Sequence, residues 1–347
     1  MPVITCHFSN GASFEVNAQT GRSFLEVALE QGVPIRNQCR SGTCLSCSCL
    51  GAIDSRPLTV QTGRATSLMP MERDEGKMLC CVSEATTDGA LHFDYSSDEA
   101  GPSEVQAFVD SVEWIASDAV KLTLELAETH WLDFRAGQYV EITVPGSSES
   151  RSYSMCTAPA ELPKLAFMIR MLDAGLMSEY LRDSAKPDDV LRLRGPYGDF
   201  SWTGSLSRPQ LFIAGGTGLS PICSILQEVR ASSGSKPPLT LNLGCASPET
   251  LLDPTFLRRL EAWMPTLRVN LCVESGAQDD HCVGNALEPI DFDSLATDTE
   301  AYVCGPEGLI DAAIERLLSA GIASGNIHYE RFVASGLPEV GRTGAKL

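Results

Sequence analysis

The hydrophobic and polar positions change their period along the chain, and the changes divide it into parts. Val3 to Phe8 reads as a strand, Asn10-Gly11 as a tight turn and Ser13 to Val16 as the returning strand, so the first residues predict a hairpin. Phe24, Val27 and Ala28 then recur at helical spacing behind Ser23, a capping residue, and Gly32-Val33-Pro34 ends that helix. Asp94 to Pro102 (DYSSDEAGP) is polar, acidic and turn-rich, which predicts a linker, with a new domain beginning near Ser103. Beyond it Val120, Leu122, Leu124 and Leu126 alternate with Lys121, Thr123 and Glu125, the pattern of an antiparallel strand with one buried face. Phe134 to Val144 and Lys164 to Met171 continue the strand pattern between Gly and Pro punctuation, and a small β-barrel is the natural closure.

After a second break at Ser205 to Pro209 the period changes. Leu211 to Ala214 is short and wholly apolar, and glycines and a helical stretch from Pro221 follow it. Further apolar runs at Leu239 to Leu243, Val269 to Val273 and Ala301 to Cys304 alternate with helix-like segments, which predicts a doubly wound parallel sheet. The expected fold class is therefore α+β and α/β, multidomain.

Composition and charge narrow the functions. The 347 residues have room for two or three compact domains. No apolar run approaches the roughly 18 residues that span a bilayer, and Met1 to Asn10 lacks a basic start followed by an apolar segment. The expectation is a cytoplasmic protein without a membrane partner. A net charge of -19 argues against nucleic acid, whose phosphates need clustered Lys and Arg. The acidity is spread in proportion to length, which fits either solubility or an acidic docking face for a protein partner.

Thirteen cysteines is an odd number in a long chain, and those between Cys39 and Cys81 are closely spaced, so thiolate ligation suits them better than disulfides. Cys39, Cys44 and Cys47 are separated by four and two residues, and Cys80 or Cys81 follows downstream, which is the plant-type [2Fe–2S] spacing. Such a loop wraps three thiolates around the cluster rim, and its small residues Ser41, Gly42, Thr43 and Ser46 let the backbone approach closely. A four-cysteine zinc site would favour paired two-residue gaps, and a Rieske centre needs two His ligands, whereas His7 and His92 lie in no such motif. Cys49 reads as a buried strand thiol.

Here the segment Gln38 to Cys49, with Gly76 to Val82, resembles the ferredoxin domain of ring-hydroxylating dioxygenase reductases and their monooxygenase relatives. The resemblance implies a last ligand in a Leu-x-Cys context, hence Cys39, Cys44, Cys47 and Cys81 as ligands and Cys80 as a neighbour. Arg151-Ser152-Tyr153-Ser154 resembles the Arg-x-Tyr-Ser element of the ferredoxin–NADP reductase superfamily. That likeness implies Arg151 on the flavin pyrophosphate, Tyr153 on the isoalloxazine and Ser154 at its N5 edge, roles that suit a guanidinium, a flat ring and a hydroxyl. Ala136-Gly137-Gln138-Tyr139 matches the strand before that element, Gly175-x-Met177-Ser178 its phosphate loop at a helix start, and Gly195-Pro196-Tyr197-Gly198 the end of the same domain.

Gly215-Gly216-Thr217-Gly218 follows an apolar strand, where glycines let a dinucleotide approach a helix N-terminus. It resembles the superfamily's nucleotide element, and Cys304-Gly305-Pro306 its second strand-end signature beside the nicotinamide. Cys304 is expected to position the hydride path and not to act as a nucleophile, since no partnering His or Asn motif occurs. Glu330 and Phe332 fall where relatives place an acid and an aromatic next to the flavin. Gly244 to Thr250 (GCASPET) has no base to pair with a 2′-phosphate, and Glu274 ends the next strand, so NADH is favoured.

The resemblance implies a β-grasp [2Fe–2S] ferredoxin domain (1–98), an antiparallel FAD-binding β-barrel (103–205), a doubly wound NAD-binding domain (208–335) and a polar tail (336–347). It implies an enzyme passing electrons from NADH through FAD and the cluster to a terminal oxygenase or hydroxylase acting on an aromatic or related compound. Alternatives are a non-catalytic [2Fe–2S] redox-sensing or binding module, and a reductase serving another acceptor.

Overall fold

In the computed structural model, residues 1–52, 56–62, 64, 66–98, 101–278 and 280–332 are described, so the expected tail, and Glu99 and Ala100 of the expected linker, lie outside the described residues. The first unit runs β1 (Val3–Phe8), β2 (Ser13–Asn17), α1 (Phe24–Glu30), β3 (Ser48–Gly51), β4 (Leu58–Val60), α2 (Pro70–Asp74), β5 (Lys77–Leu79), β6 (Ser83–Ala85) and β7 (Gly89–Phe93). Its main sheet has the order β2-β1-β7-β3-β5, with β1 and β7 parallel. Phe24, Leu25, Val27 and Ala28 of α1 pack into its core, and Ser23 Oγ accepts the Glu26 N–H as expected of a cap. The stretch from Asp94 is less linker-like than its composition suggests: Tyr95 is buried, and its hydroxyl accepts the Arg36 N–H.

The second unit contains β8 (Ser103–Ala116), β9 (Ala119–Leu126), β10 (Tyr139–Thr143), β11 (Ser150–Ser154), β12 (Lys164–Arg170), α3 (Leu176–Asp183) and β13 (Val190–Tyr197). Its antiparallel sheet, β11-β10-β13-β8-β9-β12, curls until Met155 bridges Phe167, which closes a barrel around Leu122, Leu124, Ile142 and Phe167. The strand expected over Phe134 to Val144 is shorter than its pattern. Gly137 adopts a φ of +105°, a Cβ there would stand 2.6 Å from the Phe200 carbonyl, and the Gln138 N–H closes a turn on Arg135 O. Apolar Phe134 and Ala136 belong to no strand, and their side chains are buried in the barrel core and in the core around α4 respectively.

The third unit is wholly parallel. It runs β14 (Gln210–Gly215), α4 (Leu219–Ala231), β15 (Leu239–Cys245), α5 (Pro254–Trp263), β16 (Leu267–Val273), β17 (Cys282–Val283), β18 (Glu300–Gly305), α6 (Glu307–Ser319) and β19 (Ile327–Arg331). The sheet order is β17-β16-β15-β14-β18-β19. Alternate side chains of β14 enter two cores: Phe212 and Ala214 face α4 and α5, and Leu211 and Ile213 face α6. The order reverses between β14 and β18, so both strand ends open into the crevice where doubly wound sheets bind ligands.

The turn that follows β14 packs tightly against the end of its neighbour β18. A Cβ on Gly218 would lie 2.2 Å from Cys304 O, whereas one on Gly216 would meet nothing within 4 Å. Gly218→Ala is expected to destabilise by about 3 kcal/mol through forced backbone displacement. Gly216→Ala, strained only by its φ of +52°, is expected to cost about 1 kcal/mol. Urea unfolding of both variants checks the difference.

Candidate functional site: a thiol loop against a two-domain groove

The cysteine loop is shaped by residues in the left-handed region. Arg40 (φ +53°), Gly42 (φ +84°) and Leu45 (φ +60°) turn the chain around its own sulfurs. The Ser41 and Cys44 N–H groups donate to Cys39 Sγ at 3.4 and 3.3 Å. The Cys39 thiol is held far below the usual range, first by the Cys44 thiol's hydrogen bond and then by that of Cys81, and Cys47 is lowered first by Cys81. Cys81 is thus the fourth sulfur of the group.

Cys80 turns the other way, fully buried, with its sulfur 3.6 Å from that of Cys49. No set of three donors among the described residues already stands in metal-holding geometry; the thiols meet as a chain, Cys44 to Cys39, Cys39 to Cys81 and Cys81 to Cys47. Three thiols on a loop that aims N–H groups at sulfur, with a fourth arriving from beyond β5, are the donor set that suits a [2Fe–2S] cluster.

The barrel and the parallel sheet meet at Ser154. Its hydroxyl donates to Glu330 Oε2 at 3.2 Å, and Glu330 lies beside Cys304 in the pairing of β18 with β19. Burial raises the Glu330 carboxyl to about 8, against the lowering effect of the Ser154 bond. Gly198 stays open above it, where a Cβ would come within 3.3 Å of Glu330 Oε1 and 2.9 Å of the Tyr139 ring. Along β11, Arg151 pairs with Glu149 at 2.5 Å and Tyr153 packs partly against the barrel core. At the start of α3, Met177 sends its side chain into that core, and Ser178 Oγ accepts the Leu172 N–H at 2.9 Å. Both side chains are therefore spent on structure, which leaves the backbone N–H groups after Gly175 as the loop's free donors.

The glycines at these two strand ends divide their work differently from the sequence expectation. Gly215 makes room for Pro306, Gly218 for the Cys304 carbonyl, and Gly305 (φ +150°) for the Gly215 backbone. Of the four-residue element, Gly216 is the glycine that faces open space. Cys304 is fully buried and its thiol is pushed up by burial, which fits a wall and not a nucleophile. Phe332 is exposed at the same end, with its N–H on Gly305 O.

Three polar side chains that the sequence did not flag, two of them buried, lock α4 onto the barrel. Ser220 Oγ donates to Ser154 O (2.7 Å), Ser224 Oγ to Thr157 O (2.6 Å) and Gln227 Nε2 to Cys156 O (2.6 Å). Their spacing of four and three residues on an apolar helix was the available signal.

Comparison with known proteins agrees with this geometry. Residues 7–86 match the 2Fe-2S iron-sulfur cluster binding domain, 106–202 the oxidoreductase FAD-binding domain and 212–315 the oxidoreductase NAD-binding domain. The toluate 1,2-dioxygenase electron transfer component of Pseudomonas putida is 30% identical over 337 residues, covering 96% of this chain and 98% of that one. The chain belongs to the electron-transfer reductase components of oxygenases. The anthranilate 1,2-dioxygenase electron transfer component of Acinetobacter baylyi is 28% identical over 96% of this chain and 97% of its own. The crystal structure of an Amycolatopsis cytochrome P450 reductase superposes with a TM-score of 0.71 at 25% identity, covering 95% of this chain and 98% of that one. The protein is an NADH-dependent flavin and iron–sulfur oxidoreductase.

In this reductase the thiol loop is bonded directly to the flavin strands. Gln38, which precedes Cys39, accepts the Tyr139 hydroxyl (2.5 Å) and donates to Glu141 Oε1 (2.8 Å) and Ser152 Oγ (3.3 Å). Nearby, Arg36 pairs with Asp199 at 3.4 Å. On the other flank α2 meets β19, where Tyr329 donates to Glu72 Oε2 at 2.5 Å. Cys81→Ser is expected to remove most of the cluster's visible absorbance, while Cys80→Ser keeps it and loses about 1 to 2 kcal/mol of stability. Gln38→Leu is expected to slow cluster reduction roughly tenfold or more and leave flavin reduction unchanged, as read by stopped-flow absorbance.

Proposed function

We propose that the reductase feeds a terminal oxygenase or hydroxylase acting on an aromatic or related compound, in the cytoplasm, and that it is built from domains spanning 1–98, 103–205 and 208–335. The family membership supports the oxygenase partner, as in the toluate and anthranilate systems of the relatives. The observation that carries the reading is the three-bonded amide of Gln38, which ties the residue before Cys39 to both strands β10 and β11 and so supports a direct path between flavin and cluster.

In this reading Cys39, Cys44, Cys47 and Cys81 hold the cluster. Arg151, Ser152, Tyr153, Ser154 and the backbone of Gly175, Met177 and Ser178 hold FAD, with Phe332 against its ring. Gly216, Thr217, Gly218 and Cys304, Gly305, Pro306 form the NADH crevice. When bound, the flavin supplies the conversion of a two-electron hydride into single electrons for the cluster.

The chain's own task at the meeting point is to hold geometry and a proton. Ser154 is fixed from both sides, by Glu330 at its hydroxyl and by Ser220 at its carbonyl. Glu330 keeps its carboxyl proton at neutral pH because burial disfavours the charge. Cys304 supplies a fully buried apolar wall at the end of β18, which keeps water from that side.

Anaerobic NADH is expected to bleach the flavin and then the cluster, with kcat/KM for NADH at least about tenfold above that for NADPH, the value of one missing phosphate contact. Reconstitution with an aromatic-ring dioxygenase should yield NADH-dependent oxygen uptake and hydroxylated product; cytochrome c reduction without such turnover would remove the oxygenase from the reading. Flavin reduction is expected to fall as pH rises through about 8, and Glu330→Gln to abolish that step. The raised carboxyl also makes its contribution to stability full below its ordinary value of 4.5 and lost through about 8, so the same variant should flatten the thermal midpoint over that window.

A further inference from the structure

The loop that meets the flavin strands through Gln38 has a second side. Arg40, the residue after Cys39, is exposed, as is Arg64, and with Arg22 they rim a concavity of about 250 Å³ whose floor includes Cys81. Three of the seven cations in the first 98 residues thus converge on one opening over a cluster thiol. Glu26 is the one acid among the lining residues.

Arg22 is braced by Glu30 at 2.6 Å and by Glu26 at 4.0 Å. Among the described residues, Arg40 and Arg64 have no carboxylate partner: Arg40 donates to Asn37 Oδ1, and Arg64 to the Arg40 carbonyl. These bonds hold the guanidinium groups in place without cancelling their charge.

We infer that this arginine-rimmed concavity is the docking site for the electron acceptor, and that the acceptor is a protein presenting carboxylates to it. The inference rests on the reading that electrons leave through the cluster. Gln38 and Arg40 flank the same cysteine, so the path enters on the Gln38 side and exits on the Arg40 side. The charge of the whole chain sharpens the choice. At -19 the reductase repels an acidic partner in general, and this opening is where such a partner is attracted, which orients it with its own redox centre toward Cys81.

The test follows reoxidation of the NADH-reduced cluster by stopped-flow absorbance, using the complete holoprotein. Ferricyanide serves as the anionic acceptor and hexaammineruthenium(III) as the cationic one, with poly-L-glutamate and poly-L-lysine as competitors. Poly-L-glutamate is expected to protect the cluster from ferricyanide at low salt, poly-L-lysine is not, and the protection should vanish once the screening length falls to about 10 Å. Arg22→Glu with Arg64→Glu, both outside residues 39–47 although Arg64 bonds to the Arg40 carbonyl, is expected to slow ferricyanide about threefold to tenfold and to speed hexaammineruthenium. Flavin reduction by NADH stays unchanged in that variant.

Equal protection by the two polymers, or a variant that shifts both acceptors alike, overturns the inference. The competition needs no substitution, so it decides the matter even if the double variant folds poorly. A cluster that NADH cannot reduce would instead sink the reading of electron flow on which the inference stands.

Discussion

Electrons pass between two cofactors in separate domains only when those domains are held at a fixed separation, and here one side-chain amide carries much of that constraint. Gln38 uses both its carbonyl and its amino group, toward Tyr139, Glu141 and Ser152. A hydrophobic contact at that position would bring the surfaces together without setting the register of the loop, because apolar attraction has no direction. Hydrogen bonds do, at a modest net gain of about 1 kcal/mol each. The loop can therefore be placed to a fraction of an ångström without an extensive apolar interface.

The same logic appears where the barrel meets the parallel sheet. Ser220, Ser224 and Gln227 reach out of an otherwise apolar helix face to carbonyls at and beyond the end of β11. Those carbonyls follow or belong to Ser154, whose hydroxyl meets Glu330. Losing one of these donors would leave a buried carbonyl unpaired, a cost of about 1 to 3 kcal/mol that discourages the two domains from sliding. The close approach of the turn after β14 to the end of its neighbour β18, with Gly218 against the Cys304 carbonyl, completes the floor of the crevice. Rigid placement suits a protein whose cofactors do the chemistry and whose own residues set distance and orientation.

Charge is arranged with similar economy. Acidity is distributed along the chain, yet the first unit gathers arginines around the opening at Cys81 while the inward side of the same loop is held by hydrogen bonds to Tyr139, Glu141 and Ser152. At the other end of the path, burial keeps Glu330 protonated, so an acid can sit in the groove without adding charge.

Local chemistry made much of this legible in the sequence. The thiol spacing, the capped helix at Ser23, the alternation from Val120 to Leu126 and the apolar run before Gly215 each depend on neighbours a few residues away, and periodicity reports such neighbours directly. Positions whose meaning depends on distant chain were not legible. Phe134 and Ala136 look like strand residues until the Phe200 carbonyl forces a turn at Gly137, and Cys80 and Cys81 are indistinguishable by spacing until the fold aims one at Cys49 and the other at Cys39. Likewise Gly215 and Gly218 carry the marks of a nucleotide loop, but their missing side chains make room for the protein's own backbone and Pro306. The sequence alone determined which elements and cofactor chemistries the chain can support, because those are short-range properties of residue type. Only the tertiary structure decided which late thiol turns toward Cys39 and Cys47, which glycine faces open space and which amide joins the domains, because each of those is a distance between residues far apart in the chain.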